Sequence, residues 1–315
     1  MSASQQAILQ ARTSHAPSRR CPVATKFTLS PKILVRQILI AVVASMVLWT
    51  IAAMVFENKF IFFPSKYPEG IYEDARFIPN LTECWITTED GVKIHGWFTR
   101  ADSAIATLVI AHGNGGNISY RIDLMKRLQK IQFNVLMFDY RGYGKSEGSP
   151  DEAGVYSDGR AAFDYALQLP GVDPHKIILW GTSLGGAVAV DVAIHRRPAG
   201  LILESTFSSA EDVARKAYPY LPVQFTLRSK FNSIDKIPHI GVPLLQMHGN
   251  KDKVIAFDLG KKLFEAAREP KEFYVIEGSD HNDTYIAGGQ AYLEKVRSFA
   301  LRTVAMSGEE SPVDQ

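Results

Sequence analysis

Residues 177–193, IILWGTSLGGAVAVDVA, set one serine between two glycines, in the order Gly181-Thr182-Ser183-Leu184-Gly185. The run before it is apolar, as in a buried strand. The run after it has the small-residue pattern of a helix. A strand that turns at once into a helix leaves no room for side chains at Gly181 and Gly185, and it pushes the Ser183 hydroxyl out above the sheet. That is the Gly-x-Ser-x-Gly elbow of a serine nucleophile. The helix beginning at Leu184 aims free N–H groups and its positive end at the same place, which favours developing negative charge. No Gly-x-x-x-x-Gly-Lys-Ser/Thr phosphate loop and no Gly-x-Gly-x-x-Gly fingerprint occurs in the segment.

A nucleophilic serine needs a base, and the base needs a carboxylate. In folds with such an elbow these follow in the order serine, acid, histidine. Asp252 stands in HGNKDKVI, just after the apolar run Pro243–His248. Beyond it there is one histidine, His281, in EGSDHNDT. The expected constellation is therefore Ser183, Asp252 and His281, with Glu204 as the rival acid. His281 would take and return the serine proton, and Asp252 would hold the ring. His195 and His248 are read as structural. Two backbone N–H groups should face the oxyanion. One is that of Leu184. The other belongs to the glycine-rich loop His112–Asn117, HGNGGN, with Asn114 preferred, Gly115 as the alternative, and Gly113 and Gly115 lining the substrate.

The elements that must carry these residues follow from periodicity. Thr107–Ala111, Asn134–Phe138, Lys176–Trp180, Gly200–Glu204, Pro243–His248 and Glu272–Ile276 are short apolar runs. Helical patterns fit between them at 120–129, 152–168, 184–195, 257–267 and 290–304. Such alternation predicts an α/β fold with a mostly parallel sheet and helices on both faces. Glu83–Thr87 and Val92–Thr99 flank Asp90-Gly91, a two-residue hairpin signal. The site segments all follow the carboxyl ends of strands, where open α/β sheets bind ligands.

The first 56 residues contain no Asp or Glu and carry Arg12, Arg19, Arg20, Lys26, Lys32 and Arg36. Ile38–Phe56 is uncharged and of membrane-spanning length. The expectation is a basic segment 1–37 in the cytoplasm, a single span 38–56, an aromatic linker or flap 57–80, a domain 81–304 on the opposite side of the membrane, and a disordered tail 305–315. The net charge of +2 gives no reason to expect nucleic acid. Cys21 and Cys84 make neither a metal spacing nor a disulfide framework.

Taken in order, HGNGGN, FDYRGYGKSEG (138–148), GTSLGG, HGNKDKV and SDHND resemble the α/β-hydrolase superfamily, and within it the membrane-anchored branch of bud-emergence-type and depalmitoylase-type proteins. PSKYPEG (64–70) and LESTFSS (203–209) are similar to that branch as well. The resemblance implies an α/β-hydrolase fold with an eight-stranded sheet, no cofactor, and hydrolysis of esters, thioesters or amides by Ser183, Asp252 and His281. Asp139, Tyr140 and Arg141 are read as architectural. The depalmitoylase-type members carry an N-terminal cysteine cluster, whereas here Cys21 stands alone, so depalmitoylation is not carried over. The insert 206–236 reads as a short cap whose Tyr218, Tyr220, Phe225 and Phe231 would wall an acyl pocket. The expected partners are a small-molecule, lipid or acylated substrate and the membrane. An acyltransferase or peptidase using the same three residues, or a non-catalytic binding module, stays open.

Overall fold

The computed structural model describes residues 30–219 and 227–309. The described residues ahead of Thr50 form one compact unit and those from Thr50 onward another. Helix α1 (Pro31–Ile61) begins before Ile38 and continues past Phe56. Its stretch Pro31–Ala52 has a mean hydropathy of 2.0 and is long and apolar enough to cross a membrane, a test a signal sequence also passes. Glu57 does not end the helix, because its buried carboxylate accepts the N–H groups of Arg228 (3.0 Å) and Ser229 (2.7 Å).

After α1 the chain forms β1 (Phe63–Pro64), then β2 (Leu81–Thr87), β3 (Lys93–Thr99), β4 (Ala106–Ala111), β5 (Gly115–Gly116), α2 (Ile122–Lys130), β6 (Phe133–Phe138) and α3 (Glu152–Ala166). Next come β7 (Ile177–Thr182), α4 (Leu184–His195), β8 (Gly200–Glu204), α5 (Ala210–Ala217), α6 (Ser233–Lys236), β9 (Leu244–Gly249), α7 (Phe257–Ala266), β10 (Lys271–Ile276) and α8 (Thr284–Glu309). Eight strands make one sheet in the order β10-β9-β8-β7-β4-β6-β3-β2. Only β3 runs against the others, pairing antiparallel with both β2 and β6. Alternate residues of each central strand feed different cores. Val109 and Ala111 of β4 join one apolar cluster, and Leu108 and Ile110 join the other. Full burial on both faces is why these strands read as unbroken apolar runs. Each such side chain contributes roughly 1.5–3 kcal/mol by leaving water.

Three local readings are corrected. The β2–β3 register pairs Thr87 with Lys93, so the connection spans Thr88–Val92 rather than two residues. Thr88 Oγ1 donates to Asp90 (2.6 Å) and accepts the Val92 N–H (3.0 Å), which turns Asp90 toward Arg141. The linker 57–80 is part docked and part exposed. Phe62 is buried edge-on against Phe231, whereas Phe60 and Phe63 stand in solvent. Residues 305–309, expected in a disordered tail, continue α8, where Ser307 Oγ donates to the His175 carbonyl (3.2 Å); 310–315 lie outside the described residues. The expected helix 290–304 begins just after the non-helical Gly289 (φ 53°, ψ −136°), and a separate helical stretch from Thr284 precedes it within α8.

Arg141 fastens the loop after β6 to its surroundings. Its guanidinium reaches Asp90 through both terminal nitrogens (2.7 and 3.0 Å) and Asp158 through Nε (3.0 Å). The Arg141 N–H also donates to Asp158 (2.8 Å). Asp158 is fully buried, and that burial pushes its carboxyl up to about 6 against the opposing pull of Arg141. A carboxyl raised in this way favours folding at low pH, and its contribution falls as pH rises through about 6. Arg141→Met, which strands a buried carboxylate, should therefore cost about 3–5 kcal/mol near neutral pH. The loss should shrink as the pH falls from neutrality toward about 6, because without the opposing pull of Arg141 the buried carboxyl takes up its proton above that value. Denaturant unfolding in detergent micelles across pH checks both the size and the direction.

Candidate active site

Ser183 closes β7 and opens α4 with φ 54° and ψ −119°, a conformation that side chains other than glycine rarely adopt. Its surroundings hold it there. Its N–H donates to the Glu204 carbonyl (2.8 Å), and its own carbonyl accepts the Gly186 N–H (2.9 Å) and the Thr206 hydroxyl (2.8 Å). The turn is possible because two backbones touch. A Cβ at Gly181 would collide with the Gly185 carbonyl, and one at Gly185 would collide with the carbonyl of Ala111 at the end of β4.

Above this turn, His281 Nε2 lies 3.0 Å from Ser183 Oγ, and His281 Nδ1 lies 2.7 Å from Asp252 Oδ2. Thus three side chains from separate loops, after β7, β9 and β10, form one hydrogen-bonded line. Asp252 Oδ1 accepts the N–H groups of Val254 (2.9 Å) and Ile255 (2.8 Å), which aims its other oxygen at the ring. Burial opposes ionisation of Asp252. Hydrogen bonds from His248 and His281 outweigh it and hold the carboxyl well below the usual carboxylate range. Asp280 and Asp283, which flank His281 in sequence, hold the loop instead. Asp280 accepts the N–H groups of Lys253 (2.9 Å) and His281 (2.8 Å), and Asp283 accepts the Ser279 hydroxyl (2.7 Å) and the Asp280 backbone N–H (2.8 Å). Glu204, the rival acid, turns away to Trp180 Nε1, Thr182 Oγ1 and the Tyr292 hydroxyl at 2.9–3.1 Å.

The glycine-rich loop lies beside the serine, with a Cβ at Gly113 placed 3.5 Å from that of Ser183. Among the described residues, neither the Leu184 nor the Asn114 backbone N–H has an intramolecular acceptor. The rest of Asn114 is committed. Its carbonyl accepts the Tyr143 hydroxyl (2.7 Å) and the Phe63 N–H (3.1 Å), and its amide donates to the Ile61 carbonyl (2.8 Å). Tyr140 donates to the His112 carbonyl (2.6 Å). Burial keeps His112 below the ordinary histidine value, and its Nδ1 donates to the Gly113 carbonyl (2.6 Å).

A cavity of about 470 Å³ is lined by Ser183, His281, Gly113, Asn114, Gly115 and Arg121, among others, a size that suits a small ligand. Tyr218 is not part of its wall: it stands 59% exposed where α5 ends. Phe231 is buried against Phe62 and Tyr156. Tyr220 and Phe225 lie outside the described residues. The expected aromatic wall is thus replaced at Tyr218 and Phe231. The loop after β4 and the segment after β10 supply the lining, because the described ends of the insert turn outward or into the core. Among the described residues no three His, Cys, Asp or Glu side chains cluster as metal ligands would.

Residues 106–231 match the family model described as alpha/beta hydrolase fold. An uncharacterized protein of Mycobacterium tuberculosis is 36% identical over 85% of this chain and 95% of its own. The alpha/beta hydrolase domain-containing protein WAV2 of Arabidopsis thaliana is 31% identical over 75% of this chain and 85% of its own. The domain-containing protein 17B of Xenopus laevis is 36% identical over 70% and 75%. The chain belongs to the α/β-hydrolase family. The solved esterase of Pyrococcus furiosus shares its fold, with a TM-score of 0.63 at 21% identity over 77% of this chain and 99% of that one. An esterase domain of Rhodothermus marinus does so at a TM-score of 0.54, with 21% identity over 71% and 99%. These likenesses are consistent with hydrolase activity.

Several parts of this candidate site escape a reading of the sequence. His248 is more than a strand end. It is buried with Nε2 3.0 Å from the Ile255 carbonyl and 3.3 Å from Asp252 Oδ2, so Nε2 carries the proton and faces the acid. Tyr143 and Arg121 grip the glycine-rich loop by its carbonyls, and from the other side carbonyls of the segment 61–69 accept the side-chain amides of Asn114 and Asn117. The only hint in the sequence is PSKYPEG itself, which marks a turn but not what it touches. The tight backbone contact is open to a direct check. Gly185→Ala should force β4 and α4 apart and cost about 3 kcal/mol in denaturant unfolding, and an unmoved midpoint would contradict the contact.

Proposed function

We propose that the protein is a serine hydrolase that cleaves a carboxylic ester, thioester or amide through an acyl-enzyme. The observation that carries this reading is the continuous line from Ser183 Oγ through His281 to Asp252 at 3.0 and 2.7 Å, opening on a cavity of ligand size. The Ser183 hydroxyl donates to His281 Nε2, and His281 Nδ1–H donates to Asp252. On attack, Ser183 Oγ bonds to the substrate carbonyl carbon while its proton passes to Nε2. The carbonyl electron pair moves to oxygen, which the free N–H groups of Leu184 and Asn114 receive. Collapse expels the leaving group, which takes the proton from Nε2. Water, deprotonated by the same nitrogen, then releases the acid and restores the serine. Asp252 keeps the ring in the productive tautomer and stabilises its charged form, with His248 steadying the acid from behind.

We further propose that α1 stays attached and anchors the enzyme, with residues 1–37 in the cytoplasm and the hydrolase domain on the other side. The acid-free basic start supports this orientation. Retention is supported by the continuity of α1, which runs without a break from the apolar stretch into residues docked on the domain, where Glu57 binds the Arg228–Ser229 backbone and the Ile61 carbonyl holds Asn114. Protease protection of N- and C-terminal tags in sealed vesicles reads the topology, and a free C-terminal fragment after synthesis would refute retention.

Ser183→Ala should abolish hydrolysis of short acyl esters to the level of the background. Asp252→Asn, which keeps the N–H acceptor but inverts the ring's preferred tautomer, should lower kcat by about 10⁴ with little change in unfolding midpoint. Turnover by purified Ser183→Ala protein close to that of the natural chain would reject this function.

A further inference from the structure

The cavity beside Ser183 also contains a cation that the proposed reaction does not use. Arg121, just ahead of α2, lines it together with Ser183 and His281. A guanidinium has five N–H donors. Here Nη1 donates to the Asn117 carbonyl and Nη2 to the Gly115 carbonyl, both at 2.8 Å. Among the described residues no carboxylate lies within ion-pair distance of Arg121. The nearest electrostatic support comes from Asp139, whose Oδ1 already accepts the Ile118 N–H (2.8 Å) and faces His112 Nε2 (3.4 Å). Burial pulls the guanidinium below its ordinary value, as expected of a charge taken from water with incomplete compensation. Glu204, an acidic residue of the wall, is matched by donors of its own from Trp180, Thr182 and Tyr292. The remaining lining includes Ile110, Leu124 and Met137, which suit a short apolar chain.

We infer that Arg121 selects substrates that carry an acidic group, a carboxylate or a phosphate, a short chain away from the scissile carbonyl. This rests on the serine-hydrolase reading and names its substrate class. The N–H groups left over after the two loop carbonyls can donate to either acid, and an anion there completes a charge that the protein leaves short of partners. Arg121 is thus a specificity residue as well as a fastener of the loop, and the two roles separate in the ratio of rates on matched substrates.

The test uses the full chain in detergent micelles and two pairs of esters. In one, naphthyl hexanoate is set against the naphthyl monoester of adipic acid, which places the carboxylate on the acyl side. In the other, hexanoylglycerol is set against hexanoylglycerol phosphate, which places the acid on the alcohol side. In one pair or the other, kcat/KM should favour the acidic member by roughly tenfold or more, and the favoured pair tells which side faces Arg121. Arg121→Met should erase that ratio. Arg121→Lys keeps the charge but not the fork, and serves where loss of the charge prevents folding; it should reduce the ratio severalfold. A natural chain that prefers the neutral member in both pairs, or a ratio undiminished in the folded variants, overturns the inference while leaving the hydrolase reading intact. No turnover of any of the four esters overturns the inference, and turnover surviving in Ser183→Ala sinks the hydrolase reading and this inference with it.

Discussion

The structure depends on one strained residue, Ser183, held at φ 54° where β7 gives way to α4. Such a backbone conformation costs on the order of 1–3 kcal/mol and survives only where its surroundings over-determine it. Here they do. The Glu204 carbonyl, the Thr206 hydroxyl and the contact of Gly185 with the end of β4 leave the turn no alternative. The same contact brings the glycine-rich loop after β4 beside the hydroxyl. Strain at the serine and proximity of the loop are therefore consequences of one close approach between backbones.

Around that point lies a shell of polar groups whose task is to keep loops still. Tyr140, Tyr143 and Arg121 hold carbonyls of the glycine-rich loop, and Asp280 and Asp283 hold the histidine loop against Lys253 and Ser279. The buried hydroxyls of Tyr140 and Tyr143 would be costly to leave unmatched inside the protein. The site is thereby set by the sheet below and by side chains converging from several loops. The chain just after α1 takes part too. Phe63 and Pro64 pair with Gly115 and Gly116, and the Asn117 amide donates to the Ser65 and Glu69 carbonyls. The end of the apolar helix and the loop beside the nucleophile are thus mechanically joined.

The sheet was legible because its central strands are buried on both faces and leave unbroken apolar runs; Gly200–Glu204 and Leu184–His195 are read to the residue. The grouping of Ser183, Asp252 and His281 could be anticipated from chain order, since each follows a strand that ends on the same edge. What stayed hidden is what depends on long-range pairing. Nothing local tells that the His248 ring turns toward an acid four residues on, or that Asn114 would spend its side chain on Ile61. The hairpin after β2 misled for a related reason. Asp90-Gly91 has the chemistry of a tight turn, but Asp90 is drawn to Arg141, fifty-one residues away, and the loop widens to let it reach. At Tyr218 an aromatic residue in an insert suggested a pocket wall, while its helix end simply faces water.

The most direct test is to react the full chain with a fluorophosphonate and locate the adduct by peptide mass spectrometry, in the natural protein and in His281→Ala. A single adduct on Ser183 that forms readily in the natural protein, and at least a hundredfold more slowly without the imidazole (roughly the contribution of a positioned general base), is the predicted result. An unmodified Ser183, or labelling indifferent to His281, would contradict the view that these side chains form one working relay.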